Sequence, residues 1–465
     1  MVIFTTLVGC NNEHNIVQIR GKIIGFSDSI VKINSPIGRT YFIGNEKTIK
    51  TDSLKEFNLV LPIEQIGLVT LYYGWKECRL FLKPGDKINI LINLPDSNLT
   101  FTGSNGEGQS YLNNLNRQEY LNAFKNKFIN DTIASQLEEW INSNRNQDIH
   151  GLDKLFSNQK IDKIFYNYAL KEIDCYYAFL TVTIASSQYA MEDRVFSKKM
   201  GELWTKTFIK YPVVSKDGFN TGWWFDYASN FIFDYNEWYL KNNIQPELYY
   251  FGQASKYLSN EYLEYYKASK LFIVASRERY EKELIELYNS FKTDYPKSAY
   301  IPYLDLVMAP IQTFYEKTKN NIDSSIIFKD YSSIKSLKSV VEKFKGKKLY
   351  VDVWATWCGP CKQELKHSKE LAELLLKYNY ELLYISIDFD EQDELWRNMI
   401  KFYNLSGKHL RTNIELNKEL INMESSTSSF SIPKHWIFDK NGKLVVSKAY
   451  GSKDIDSLES QLRNN

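Results

Sequence analysis

Cys358-Gly359-Pro360-Cys361 sits where an apolar run meets an amphipathic one, and this junction constrains the C-terminal part of the chain more than any other feature. Lys348 to Ala355 is apolar and β-rich, which predicts a buried strand. Leu365, Leu371, Leu374, Leu375 and Tyr378 recur at three- and four-residue spacing, which predicts a helix over 359–378. The two thiols therefore lie on a strand-to-helix turn. Cys358 falls at the helix N-terminus, where unpaired N–H groups and the helix dipole favour an anion. A thiolate there has a lowered pKa and is a usable nucleophile. Cys361, one turn in and less exposed, suits the resolving role. Such a pair can close a small disulfide ring or stand open, and it exchanges electrons with other disulfides. A structural disulfide or half a zinc site is the competing reading. Zinc takes four ligands, and no second Cys pair or Cys/His pair stands at ligand spacing. The five histidines, His14, His150, His367, His409 and His435, are scattered. The spacing thus points to redox chemistry with no metal and no cofactor.

Val351-Asp352-Val353-Trp354-Ala355-Thr356-Trp357-Cys358-Gly359-Pro360-Cys361-Lys362 resembles the active-site stretch of the thioredoxin superfamily. Within it the chain is most similar to the TlpA/ResA-like disulfide reductases of the bacterial envelope, and the specific sign is Glu364, three residues after Cys361. The resemblance implies that Glu364 tunes the thiols; the alternative is a solvated carboxylate in the first turn of a helix. Asp352, six residues before Cys358, matches the family's buried acid. Buried, it would have a raised pKa and relay a proton for Cys361; at a strand edge it would face solvent. Phe430-Ser431-Ile432-Pro433 precedes a second apolar run and is similar to the family's cis-proline segment. Carried over, Pro433 packs beside the cysteines and Ile432 offers its backbone to substrate, with Trp357, Gly359 and Pro360 completing the docking surface. The alternative is a trans proline opening an edge strand. Asp439-Lys440-Asn441-Gly442 reads as a hairpin turn.

The coarse order after residue 348 is strand, helix, strand (382–387), helix (391–404), short helix (417–423), hairpin (434–448) and helix (453–463), the thioredoxin arrangement. Residues 404–429, with Ser425-Ser426-Thr427-Ser428-Ser429, predict a long polar approach to Pro433 near the active-site face.

At the other end, Leu7-Val8-Gly9-Cys10 resembles a bacterial lipobox, between the apolar Met1 to Val8 and the polar Asn11 to Asn15. Cleavage before Cys10 would leave a lipidated cysteine and an envelope protein held by lipid alone, since no other apolar run is long enough to span a bilayer. No Lys or Arg precedes the run, although signal peptides carry a basic start, and a short apolar strand is the alternative.

With 465 residues the chain has room for three or so domains. Lys+Arg 58 against Asp+Glu 56 gives +2, so charge does not point to nucleic acid. The expected organisation is a signal and tether over 1–13, a β-rich, sandwich-like domain over 14–103, an all-α domain over 104–321 and a thioredoxin-like α/β domain over 322–465. The β-rich part is similar to the domains often placed before thioredoxin modules in such lipoproteins. Leu80 to Leu82, Lys83-Pro84-Gly85-Asp86 and Lys87 to Ile90 read there as strand, turn, strand. In the helical part, Gly222-Trp223-Trp224-Phe225-Asp226-Tyr227 reads as core packing or as a binding platform. Cys78 and Cys175 lie in different expected domains, which predicts buried free thiols over a disulfide.

The resemblance implies a lipid-anchored thiol:disulfide oxidoreductase of the cell envelope, acting on protein disulfides and supplied by an unidentified membrane electron donor. The Gly-Pro spacer is of the thioredoxin type and implies a reductase. The alternatives are an oxidase or isomerase, a thiol peroxidase, which would need a separate peroxidatic motif, and a ligand-binding lipoprotein with an accessory redox module.

Overall fold

A computed structural model describes residues 15–464 apart from 27, 29, 39, 75, 116, 129–132, 192–195, 216–218, 246, 320–323 and 423–429. The expected lipidation site, Cys10, and the serine-rich stretch 425–429 lie outside the described residues. Two compact units emerge, Met1–Phe272 with Phe291–Leu304, and Ile273–Ser290 with Asp305–Asn465.

In the first unit eight strands come first: β1 (Ile16–Ile24), β2 (Ile30–Asn34), β3 (Glu46–Lys50), β4 (Glu56–Pro62), β5 (Gly67–Tyr73), β6 (Lys76–Leu82), β7 (Lys87–Asn93) and β8 (Asn98–Gly103). They form two four-stranded sheets, ordered β4-β1-β7-β8 and β3-β2-β5-β6. The period-2 pattern of β1 puts Val17, Ile19 and Ile23 on one face, where they join Val31, Leu71 and Leu80 of the other sheet in one core. The expected strand, turn, strand over 80–90 is present, with β6 and β7 in different sheets. The turn carries the chain from one sheet to the other, and the Asp86 carboxylate fixes it by accepting from Lys83 N and Lys83 Nζ.

Helices follow, of which Lys163–Tyr189 is the longest described; Asp162 caps it by accepting from Phe165 N at 2.9 Å. Trp223 and Trp224 are buried among aromatic rings, Trp223 beneath the Arg79 guanidinium, so they build core and offer no platform. Cys78 and Cys175 are buried free thiols.

The second unit carries a five-stranded sheet, β11-β10-β9-β12-β13, made of β9 (Lys348–Trp354), β10 (Tyr380–Ser386), β11 (Lys408–Arg411), β12 (Lys434–Phe438) and β13 (Leu444–Val446). β9, β10 and β11 run parallel, β12 antiparallel to β9 and β13 antiparallel to β12. The central β9 is buried on both faces after its first residue, which is why it reads as an unbroken apolar run. Gly442, at φ 79°, closes the β12–β13 turn, in which Asp439 accepts from Asn441 N and Lys443 N.

The structure departs from the expected elements at identifiable places. The helix expected over 359–378 is two helices, Gly359–Leu365 and Ser368–Lys377. The Glu364 carbonyl accepts from His367 N and from Ser452 Oγ, both at 2.8 Å, and the first helix stops there. Residues 404–429 are not one long loop: they contain β11 and the helix Ile414–Asn422. The 321/322 boundary does not coincide with the division into units. Residues 273–290 go with the C-terminal unit, where the Glu278 carbonyl binds Lys362 and the Tyr280 ring packs on Phe314 and Phe402.

Candidate active site

β9 delivers the chain to a tight turn, and the turn becomes a helix at Cys358. The Cys358 backbone is extended (φ −82°, ψ 105°), and its Sγ accepts from Cys361 N at 3.1 Å, the position of an N-capping side chain. Pro360, in the first turn of the helix, lacks the N–H that would go unpaired there. Cys358 and Cys361 are joined in a disulfide. The sulfur pair is nearly closed off, with Cys358 4% and Cys361 1% exposed, while Trp357 is 49% exposed and Gly359 and Pro360 are exposed beside it. Half-buried Ile432 places its carbonyl oxygen 3.8 Å from Cys358 Sγ, and the Ile432–Pro433 peptide is cis. Of the five residues named for substrate contact, Ile432 thus lies against Cys358, Trp357, Gly359 and Pro360 are exposed next to the cysteines in sequence, and Pro433 follows Ile432 through the cis bond.

The turn is held from below by a carboxylate that sequence reasoning did not single out. Buried Asp388 accepts from Thr356 N, from Thr356 Oγ1 at 2.7 Å and from Ser386 Oγ at 2.6 Å. Burial raises its pKa, against those hydrogen bonds. Lys362, next to Cys361, is also buried. Its ammonium donates to the carbonyls of Glu278 (2.5 Å), Thr356 (3.2 Å) and Arg277 (3.5 Å), and burial pushes it down to about 8.

Asp352 and Glu364 converge on one histidine. β12 pairs with β9 so that His435 lies directly opposite Asp352, with His435 Nε2 3.5 Å from Asp352 Oδ1. Glu364, one turn beyond Cys361 on the same face of its helix, brings Oε2 to 2.9 Å from the same Nε2. The ring N–H is not aimed along that line, so the contact is an ion pair more than a directed hydrogen bond. All three side chains are enclosed, at 6%, 15% and 6% exposure for Asp352, Glu364 and His435. Burial pushes the Asp352 carboxyl up to about 6, with Glu364 adding to the effect and His435 opposing it. Burial alone would lower the His435 pKa, but the charges of Asp352 and Glu364 outweigh it and the net shift is upward. The Tyr350 ring stacks on the imidazole at 5.8 Å, and its hydroxyl donates to the Tyr450 carbonyl at 2.9 Å.

His435 was visible in the sequence only as one scattered histidine. The available signal was its place in a short apolar strand two residues after Pro433, where a polar side chain amid Trp436, Ile437 and Phe438 needs a buried partner. No group of His, Cys, Asp and Glu among the described residues is arranged to hold a metal ion.

Residues 323–462 match the Redoxin family model. The thiol-disulfide oxidoreductase ResA of Bacillus thuringiensis subsp. konkukian is 28% identical over 132 residues, which is 28% of this chain and 71% of that protein. A ResA of Bacillus cereus is 27% identical over 150 residues, 32% of this chain and 82% of that protein. Among solved structures, a thiol:disulfide interchange protein from Bacteroides sp. is 20% identical, with a TM-score of 0.23, covering 26% of this chain and 76% of that one.

Proposed function

The C-terminal region is a TlpA/ResA-like domain of the thioredoxin superfamily and a thiol-disulfide oxidoreductase, and on that premise we propose that its CGPC dithiol reduces protein disulfides in the cell envelope. The observation that carries this reading is Cys358 at the helix N-terminus, its sulfur already accepting the Cys361 N–H. In the reduced chain the Cys358 thiolate attacks one sulfur of a substrate disulfide, and the other substrate sulfur leaves as a thiolate. Cys361 then gives up its proton and attacks Cys358 in the mixed disulfide. The bond to substrate breaks, the second substrate thiol is released, and the Cys358–Cys361 disulfide seen here is formed. Two electrons have passed from dithiol to substrate, so a donor must return them. Outside the cytoplasm that donor is a membrane protein, and lipidation at Cys10 would keep the domain beside it. Trp357, Gly359, Pro360, Ile432 and Pro433 form the surface on which substrate docks.

The reductase direction rests on the Gly-Pro spacer. A reduction potential near roughly −270 mV supports it, and one near about −120 mV makes the chain an oxidase.

A second reading, a ligand-binding protein with an accessory redox domain, draws on a cavity of about 510 Å³ in the first unit, lined by Phe179, Asp226, Asp234, Tyr250 and Lys270. Full biological activity of Cys358→Ser would favour it.

A further inference from the structure

Asp352 and Glu364 are two carboxylates enclosed beside a single histidine. Two buried like charges disfavour joint ionisation, and among the described residues neither Lys nor Arg forms an ion pair with either of them. The group at that point able to carry a positive charge is the His435 imidazole, 3.5 Å from the first and 2.9 Å from the second. Three elements bring the groups together: β9 carries Asp352, the helix after the cysteines carries Glu364, and β12 carries His435. Other groups packed on the ring do not supply the charge. Tyr350 stacks on it from β9, and burial holds that phenol well above its ordinary range, hence neutral. The segment after β13 offers the Ala449 backbone.

Resting on the disulfide-exchange reading, we propose that His435 is a positioning residue for the resolving step. Its imidazolium, held between the Glu364 and Asp352 carboxylates, keeps Asp352 ionised and in place, so that Asp352 takes the proton that Cys361 must lose. The proton moves from the Cys361 thiol to the Asp352 carboxylate, the Cys361 sulfur bonds to the Cys358 sulfur, and the substrate sulfur departs with the electrons of the broken bond. On re-reduction the proton returns to Cys361. His435 touches neither sulfur nor substrate in this scheme and acts through Asp352.

The test uses the full chain with His435→Gln, reduced and mixed with glutathione disulfide, the release of the second glutathione thiol being followed from pH 5 to 9. The expected result is that the acidic limb of the resolving rate moves up by about one pH unit, because Asp352 deprived of the cation protonates more readily. The first step, attack by Cys358, should keep its profile. An unchanged limb for the resolving step overturns the proposal, whereas failure of the wild-type chain to exchange at all overturns the disulfide-exchange reading instead. A second measurement does not depend on that variant folding. By NMR the His435 ring of the wild-type chain should titrate above 6.5, and Asp352→Asn should lower that value. A ring neutral at pH 6.5 and indifferent to Asp352→Asn overturns the proposal.

Discussion

Gly451 leaves the Glu364 carboxylate the space it occupies: a Cβ at 451 would collide with Glu364 Oε2 and fall 2.7 Å from Glu364 Cδ. The Gly451 backbone (φ −88°) is open to any residue, so the requirement is for room and not for a left-handed turn.

Gly451→Ala should therefore displace Glu364 from His435. The carboxylate is the far end of a flexible side chain and gives way, so the expected loss in urea denaturation is small, about 1 kcal/mol, the lower end of the cost of an added methyl. In a Glu364→Ala background most of that cost should vanish, because the colliding atoms are gone. A cost that persists unchanged in the double variant would locate the clash elsewhere.

Asp352 makes stability depend on pH in a definite direction. Its carboxyl is pushed from 3.8 up to about 6, so between these values the folded chain binds more protons than the unfolded one. Stability contributed by this group is lost as pH rises through that window. His435, raised above 6.5, works the same way, its contribution being present below 6.5 and lost as pH passes its folded value. Asp352→Asn should flatten the stability curve from pH 4 upward and raise stability at pH 8 by about 1–3 kcal/mol, while slowing resolution by Cys361. Parallel curves for the two proteins would mean that Asp352 is not buried as an acid.

Lys362 behaves oppositely. Burial lowers it to about 8, so between about 8 and its ordinary 10.5 the unfolded chain binds the extra proton and stability rises with pH. Lys362→Met strips a donor from the carbonyls of Arg277, Glu278 and Thr356, at an expected cost of about 1–3 kcal/mol at pH 7. The gap between wild type and variant should widen from pH 7 to 9.5. A gap that stays constant would show that the lysine does not titrate in that window.

What the sequence made legible was local. The apolar run before Cys358, the spacing of Leu365, Leu371 and Leu375, and the Asp439–Gly442 turn each act within a few residues; the strand and the turn they announce are present, and the helical stretch is present but split in two. Pairings made across the chain were not legible. Lys408–Arg411 is a four-residue edge strand whose charged ends conceal it, and its pairing with β10 is long-range. The break after Leu365 depends on Ser452 reaching the Glu364 carbonyl. His435 gained meaning only once β12 was placed against β9 in a register that sets it opposite Asp352. The same holds for Asp388 beneath Thr356 and for the Glu278 carbonyl on Lys362.

The most direct measurement is a trapping experiment on the two cysteine variants. The full-length Cys361→Ser chain, reduced and then exposed to a protein disulfide, should accumulate one mixed disulfide per chain, bonded through Cys358 and released by dithiothreitol, while Cys358→Ser should accumulate none. Equal trapping by both variants, or none by either, would contradict a disulfide exchange that Cys358 begins and Cys361 completes.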